Sequence, residues 1–233
     1  MLIINTKKWG KDSYLKYMSK MFFMENLFTR EKFDKCELCA YHESGHILFA
    51  YLCGYNCKYV ELINDKNEHD FTSIAIIDYG KDSELASMFI SPDANLDSFK
   101  SFTLAQRLEC IEVGRRIVRI FLGGSVAAAV FNNKGDIHIP LPMQIDFTDL
   151  LRVEFIQQVL KELSDDLPED FVEHSLQDAL YTLGNVNVWS TVVDLAERLL
   201  KNNQLNKNDI EECLEEHGIV YENVPVDAGS DGI

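Results

Sequence analysis

Three residues in the first quarter of the chain have the types and spacing of a zinc site. Residues 42–46 read HESGH, which puts His42 and His46 four positions apart. On a helix this spacing places both imidazoles on one face, where they can bind a single Zn²⁺. Glu43 lies beside them without being a ligand, as suits a general base that takes a proton from a zinc-activated water. The motif therefore predicts a zinc-dependent hydrolytic centre.

Such a centre needs a third protein ligand, because the fourth position is left for water. Residues 47–53 read ILFAYLC and offer no extension of the motif, so the ligand must come from distant sequence. The candidates are Asp146, Asp149, His138, Asp136, Glu112 and His174. Asp149 has a simpler interpretation as well. It follows Asp146 by three residues, in the first turn of an expected helix, where the helix dipole favours any carboxylate.

Four cysteines near the motif are spaced as CxxC and then CxxxC, as in some zinc sites: Cys36, Cys39, Cys53 and Cys57. One helix across this segment would put Cys39 and Cys53 about 21 Å apart, at 1.5 Å per residue. Four sulfurs spread this far cannot share an ion. Cys39 falls on the histidine face of the helix, and we expect it to be a buried reduced thiol.

The surrounding sequence predicts the helices that position these residues. Apolar periodicity, caps and breakers predict helices over 34–53, 103–131, 146–163, from Pro168 to Gly184, 188–200 and 206–216. Two β-rich stretches between Tyr59 and Tyr79 predict a small hairpin or ribbon. Residues 80–100 read as a polar loop. The expected fold class is therefore mainly α, with a small β element.

Two glycines interrupt the longest of these helices. Gly123 and Gly124 each cost about 1 kcal/mol relative to Ala inside a helix. We expect the compensation to be close packing against the HESGH helix, with Ala127, Ala128 and Ala129 lining the contact.

Charge excludes two classes of partner. The 233 residues include 22 Lys and Arg against 38 Asp and Glu, for a net charge of −16. Because binding to phosphates or anionic lipids requires the opposite sign, we expect no nucleic-acid or membrane partner. The sequence has no run of 18 uncharged apolar residues, no export signal and no Walker-type GxxxxGK[ST] motif. A soluble, cytoplasmic protein that acts without ATP, with reduced cysteines, is the corresponding expectation.

HESGH, with a small residue and Gly before its second His, resembles the HEAGH signature of the FtsH-type AAA zinc metalloproteases. IVRIFLGGSVAAAVF (117–131) is similar to the LGGRAAEE helix of that family. FTDLLRVEFIQQVL (147–160) is similar to its later helix, whose opening Asp is the third zinc ligand. LAERLLKNNQLNKNDIEECL (195–214) resembles the end of the peptidase domain. The likeness covers roughly residues 38–216, in the family's order.

Matched residue by residue, the resemblance implies that His42, His46 and Asp149 bind Zn²⁺ and that Glu43 is catalytic. His138 is then the second choice for the third ligand. The implied fold is a helical zinc-peptidase domain with a small hairpin. Three positions depart from the family: Ser125 replaces an Arg, and Ala128 and Ala129 replace two Glu.

The implied organisation is an N-terminal helical extension (1–33), an FtsH-peptidase-like zinc domain (34–221) and a disordered tail (222–233). The implied function is a stand-alone zinc metalloendopeptidase acting on peptides or unfolded proteins, with a separate unfoldase as a candidate partner. An edge strand of the 59–79 ribbon would pair with the substrate, or the ribbon is an ordinary structural hairpin.

Two alternatives stay open. One is a catalytically silent binding or regulatory module that still holds zinc. The other is a zinc hydrolase with a substrate other than peptides, because the motif specifies water activation better than it specifies substrate. The sequence predicts no oligomeric state.

Overall fold

The computed structural model describes residues 35–65, 70–91, 93–139 and 146–219. The helices of this part are α1 (Lys35–Leu52), α2 (Ser83–Ile90), α3 (Leu104–Asn132), α4 (Phe147–Leu163), α5 (Phe171–Leu183), α6 (Val186–Asn202) and α7 (Lys207–Glu216). The strands are β1 (Asn56–Asp65), β2 (Asp70–Asp78) and β3 (Gln204–Asn206). The mainly helical fold class with a small β element is confirmed.

Helix α1 occupies the centre of the core. Residues 43–51 are all buried, because α3, α6 and the β1–β2 hairpin pack around the helix. A helix surrounded in this way is apolar on several faces instead of one. It ends before Gly54, whose φ of +83° is favourable only for glycine. The HESGH residues are thus part of a rigid, enclosed helix.

The two glycines of α3 allow this helix to lie almost against α1. A Cβ placed on Gly45 of α1 would fall 2.7 Å from the Cβ of Ala127, and one on Gly123 would meet the Phe49 side chain. Real Cβ atoms do not approach neighbours this closely. The predicted packing compensation for the glycines is therefore confirmed, with Ala127 at the contact.

The three strands form one antiparallel sheet in the order β2–β1–β3. Val60 pairs with Ala75 on one side and with Leu205 on the other. Val60 and Leu205 point into the core, whereas Ile74 and Ile76 of β2 are about half exposed. The predicted hairpin is confirmed, and β3 is an addition to it. With three residues and no alternating run, β3 carries too little pattern to predict.

The predicted polar loop at residues 80–100 is wrong. This segment contains the 3₁₀ turns Gly80–Asp82 and Leu96–Phe99 as well as α2. Phe89 and Phe99 are fully buried and stack with their ring centroids 5.2 Å apart. Burying each such ring contributes about 1.5–3 kcal/mol. The buried residues of α2 and the second 3₁₀ turn therefore fix this segment to the core.

Several predictions lie outside the described residues. They include the helical extension at 1–33, the tail at 222–233 and most of the loop between Ile139 and Asp146. The proposed domain boundaries consequently stay predictions. Within the described part of the chain, no helix has the length and apolar character needed to cross a membrane.

Candidate metal centre

Two helices bring three potential ligands to one point. His42 and His46 extend from α1, and Asp149 extends from the first turn of α4. The two Nε2 atoms lie 2.9 Å apart, and each is 3.3 Å from Oδ2 of Asp149. His46 and Asp149 are buried, and His42 is only partly exposed. Of the predicted third ligands, Asp149 is the one that the structure places beside both histidines.

The backbone of α3 fixes the orientation of His46. Its Nδ1 lies 2.8 Å from the carbonyl oxygen of Ile120, which can only accept a hydrogen bond. The proton therefore belongs on Nδ1, and the Nε2 lone pair points towards His42 and Asp149. The ring also lies against the backbone of Gly124, where an added Cβ would fall 2.5 Å from Nε2. Close helix packing thus both orients and confines this imidazole.

The N-terminus of α4 is capped by Asp146, so Asp149 is not needed as the cap. Oδ1 of Asp146 accepts hydrogen bonds from the backbone N–H groups of Thr148, at 2.8 Å, and of Asp149, at 3.4 Å. Asp146 is therefore the N-cap. The carboxylate of Asp149 faces the two histidines. Between the two interpretations of Asp149, the structure favours a position suited to ligation.

Ser125 of α3 connects the cap to the ligand. Its Oγ accepts a hydrogen bond from the backbone N–H of Asp146 at 3.0 Å. The same hydroxyl can donate to Oδ2 of Asp149 at 3.5 Å. Ser125 therefore supports both the start of α4 and the orientation of Asp149.

The electrostatics of this cluster favour a bound cation. Burial opposes the charged form of His46, but the adjacent Asp149 carboxylate outweighs burial and raises the pKa of His46 to about 9. Burial would likewise raise the pKa of Asp149, but the neighbouring histidines hold it well below its usual range. At this pKa the metal-free His46 carries a second proton, on Nε2, so the position between the imidazoles and the carboxylate favours a positive charge that a metal ion can supply in place of the proton. Two imidazoles and a carboxylate fit the ligand preferences of Zn²⁺.

Glu43 lies beside the cluster and is held by the sheet. Its side chain is buried, and its Oε1 accepts a hydrogen bond of 2.7 Å from Oγ of Ser73 on β2. Among the described residues, the group able to share an ion contains His42, His46 and Asp149 but not Glu43. This arrangement agrees with the predicted role of a base that is not a ligand, and that role stays a prediction.

The other candidate ligands have different neighbours. The N–H of His138 donates to Asp136, His174 lies 3.3 Å from Asp170, and Glu112 pairs with Arg115. None of these residues joins a group of metal-ligating side chains in the described ranges. The same holds for Cys36, Cys39, Cys53 and Cys57, as the expected length of α1 required. The six cysteines, all of them among the described residues, form no disulfide bond.

The supporting serines could not be found from the sequence. Ser73 and Ser125 are ordinary residues in a strand and a helix, and only the tertiary structure brings them to Glu43 and Asp149. The sequence distinguished Ser125 only as a position that differs from the FtsH-type pattern, and it predicted no role for this residue.

Comparison of the chain with known protein families and with curated proteins finds no match. The site itself offers three potential ligand atoms for one metal ion, with the buried Glu43 carboxylate beside them.

Proposed function

We propose that this protein is a zinc-dependent metallopeptidase. The observation that carries the proposal is the convergence of His42, His46 and Asp149 on one point, with Glu43 beside it. Two imidazoles and one carboxylate leave a coordination position for water, as in catalytic zinc sites. The resemblance of HESGH and the later segments to FtsH-type peptidase domains supports the same function.

Bound at these three ligands, Zn²⁺ would supply a Lewis acid that acidifies a water and polarises a carbonyl. The residues of the chain do the rest. Ile120 and Gly124 keep Nε2 of His46 directed at the metal position. Glu43 takes the proton from the attacking water and returns it to the departing amine. Because Ser73 binds Oε1 of Glu43, the second carboxylate oxygen is the one that accepts this proton.

The sheet suggests how an extended substrate would bind. Strand β2 is at the edge of the described sheet, and its Ser73 contacts the proposed base. A peptide that pairs with an edge strand gains main-chain hydrogen bonds without a requirement for particular side chains. Pairing along β2 would carry a peptide bond past Glu43. A peptide or an unfolded segment is therefore the proposed substrate, because its backbone can extend along an edge strand and pass the metal position.

The test is hydrolysis by Glu43→Gln, with Glu112→Gln as the matched control. Both variants replace one carboxylate by its amide. Glu112 is half exposed and lies two turns before Ile120, the residue of α3 that contacts His46. A mixture of quenched fluorescent peptides and an acid-unfolded protein serve as substrates. We expect Glu43→Gln to retain its zinc and lose at least about 100-fold in hydrolysis, while the control matches the wild type.

Two results would contradict the proposal. Full activity of Glu43→Gln would exclude its role as the base. Zinc binding by the wild type without any cleavage would favour a catalytically silent binding module, and a captured but uncleaved peptide would identify such a module directly.

A further inference from the structure

A second cluster of metal-ligating side chains lies where α6 meets α7. Asp194 extends from α6, while Cys213 and His217 lie four residues apart at the end of α7. Sγ of Cys213 and Nε2 of His217 are each 3.3 Å from Oδ2 of Asp194. Thiolate, imidazole and carboxylate are the three ligand types that zinc sites use.

The spacing of these atoms suits a single small ion. Ligands bound tetrahedrally at 2.0–2.3 Å lie about 3.3–3.7 Å from one another. The three donor atoms of this cluster all lie within 4.8 Å of one another, and both distances to Asp194 are 3.3 Å. The first cluster has the same separation between its carboxylate and its imidazoles. The two groups therefore have similar dimensions.

The charges around the cluster balance when an ion is bound. Nε and Nη2 of Arg198 each lie 3.1 Å from an oxygen of Asp194, and Arg198 also pairs with Glu216. Arg198 and Glu216 neutralise each other. A divalent ion would then be neutralised by the Asp194 carboxylate and the Cys213 thiolate, with His217 as the neutral ligand. The arginine fork also holds the carboxylate in place, as outer partners do in metal sites.

An ion has access to this position. Cys213 is buried, whereas His217 and Asp194 are about a quarter exposed. They open on a surface groove of about 520 Å³ that is also lined by Trp189 and Glu197. A water from this groove can complete a four-coordinate set.

We propose that Asp194, Cys213 and His217 form a second zinc-binding site, whose three ligands come from α6 and from α7 and its C-cap. The site joins α7 to α6, and because β3 lies between these helices, it also fastens the β3 edge of the sheet. It is separate from the HESGH centre and does not depend on the protein being a peptidase. Without an ion, the same atoms would form a thiol–carboxylate–imidazole hydrogen-bond network.

Cobalt substitution distinguishes the two sites in the full chain. The first cluster has no sulfur ligand, so a sulfur-to-cobalt charge-transfer band in the near ultraviolet reports the second cluster alone. We expect two metal ions per wild-type chain, with this band present. Cys213→Ser should remove the band and one ion. Cys39→Ser, a change in the cysteine on the histidine face of α1, should keep both.

His46→Ala should lose one ion and keep the band, which separates this proposal from the proposed function. His217→Gln changes a more exposed ligand, so it provides the same test if Cys213→Ser does not fold. One ion per chain in both the wild type and Cys213→Ser, with no band, would overturn the proposal. That result would leave the cluster as a hydrogen-bond network.

Discussion

The two metal-ligating clusters differ in what surrounds the carboxylate. In the described part of the chain, the ion-pair partners of Asp149 are His42 and His46. Asp194 instead lies in the fork of Arg198, with His217 as a further partner. The first cluster is also buried, and the second opens on a groove. The carboxylate of the first cluster thus faces imidazoles, whereas the carboxylate of the second already has a guanidinium partner in Arg198.

This difference predicts an order of affinity. In the HESGH cluster a metal ion neutralises the one carboxylate that lies between two imidazoles. In the second cluster it must approach a carboxylate that Arg198 already binds, and it must also displace the proton of Cys213. We therefore expect the first cluster to bind Zn²⁺ more tightly. Among the variants below, Gly124→Ala and Ser125→Ala are expected to change metal binding at the first cluster alone, so cobalt bound at Cys213 serves as an internal reference.

The largest effect is expected from Gly124→Ala. An added Cβ would lie 2.5 Å from Nε2 and Cε1 of His46, so the ring must turn or α3 must move away. Either response displaces a ligand atom. We expect zinc affinity at the first cluster to fall at least about 100-fold, beyond the range for losing an outer partner. Competition with a chromophoric chelator measures the change.

Gly114→Ala is the matched control on the same helix. Its added Cβ would also be crowded, although less so, at 2.9 Å from Leu160 and 3.1 Å from Phe89, and these are apolar side chains. Overpacking there should lower the free energy of unfolding by about 1–3 kcal/mol and leave zinc affinity unchanged. Wild-type affinity in Gly124→Ala, or equal losses in both variants, would show that helix spacing does not orient His46.

The contrast between these clusters also shows how far the sequence could predict the molecule. His42 and His46 interrupt an apolar helix at a fixed spacing, so local pattern alone revealed them. Asp149 could be singled out only from the order of the later segments, because its spacing from Asp146 does not distinguish a metal ligand from a residue that stabilises the first turn of a helix. Asp194 lies on a different helix from Cys213 and His217, and no local pattern joins them.

The same difference between local pattern and tertiary contact separates the elements that were predicted from those that were missed. Long helices with caps and stop signals, such as α3 and α4, were predicted to within a residue or two. Strand β3 and helix α2 were missed because their stability comes from tertiary contacts: pairing of Leu205 with Val60, and burial of Phe89. Short elements of this kind have little propensity of their own.

An intermediate effect is expected from Ser125→Ala. The change removes the acceptor for the Asp146 N–H and the hydroxyl near Oδ2 of Asp149, but leaves all three ligands in place. Because the bond to Asp149 is long, we expect zinc affinity to fall about 3- to 10-fold, below the usual 10- to 100-fold loss for an outer partner. Thr at this position retains the hydroxyl and should restore most of the affinity. An unchanged affinity in Ser125→Ala would restrict Ser125 to capping α4.

The smallest effect is expected from Ser73→Ala, which touches the base and no ligand. Ser73 donates its hydrogen bond to Oε1 of Glu43. Loss of this bond lets the carboxylate rotate but leaves the position of Glu43 on α1 unchanged. We expect zinc content at both clusters to be unchanged and kcat for peptide hydrolysis to fall about 2- to 10-fold, since the net contribution of one hydrogen bond is about 0.5–1.5 kcal/mol. KM should change less than kcat, because β2 pairs through its backbone. A rise in KM alone would show instead that Ser73 contacts substrate, and a loss of zinc would mean that Glu43 is part of the ligand set.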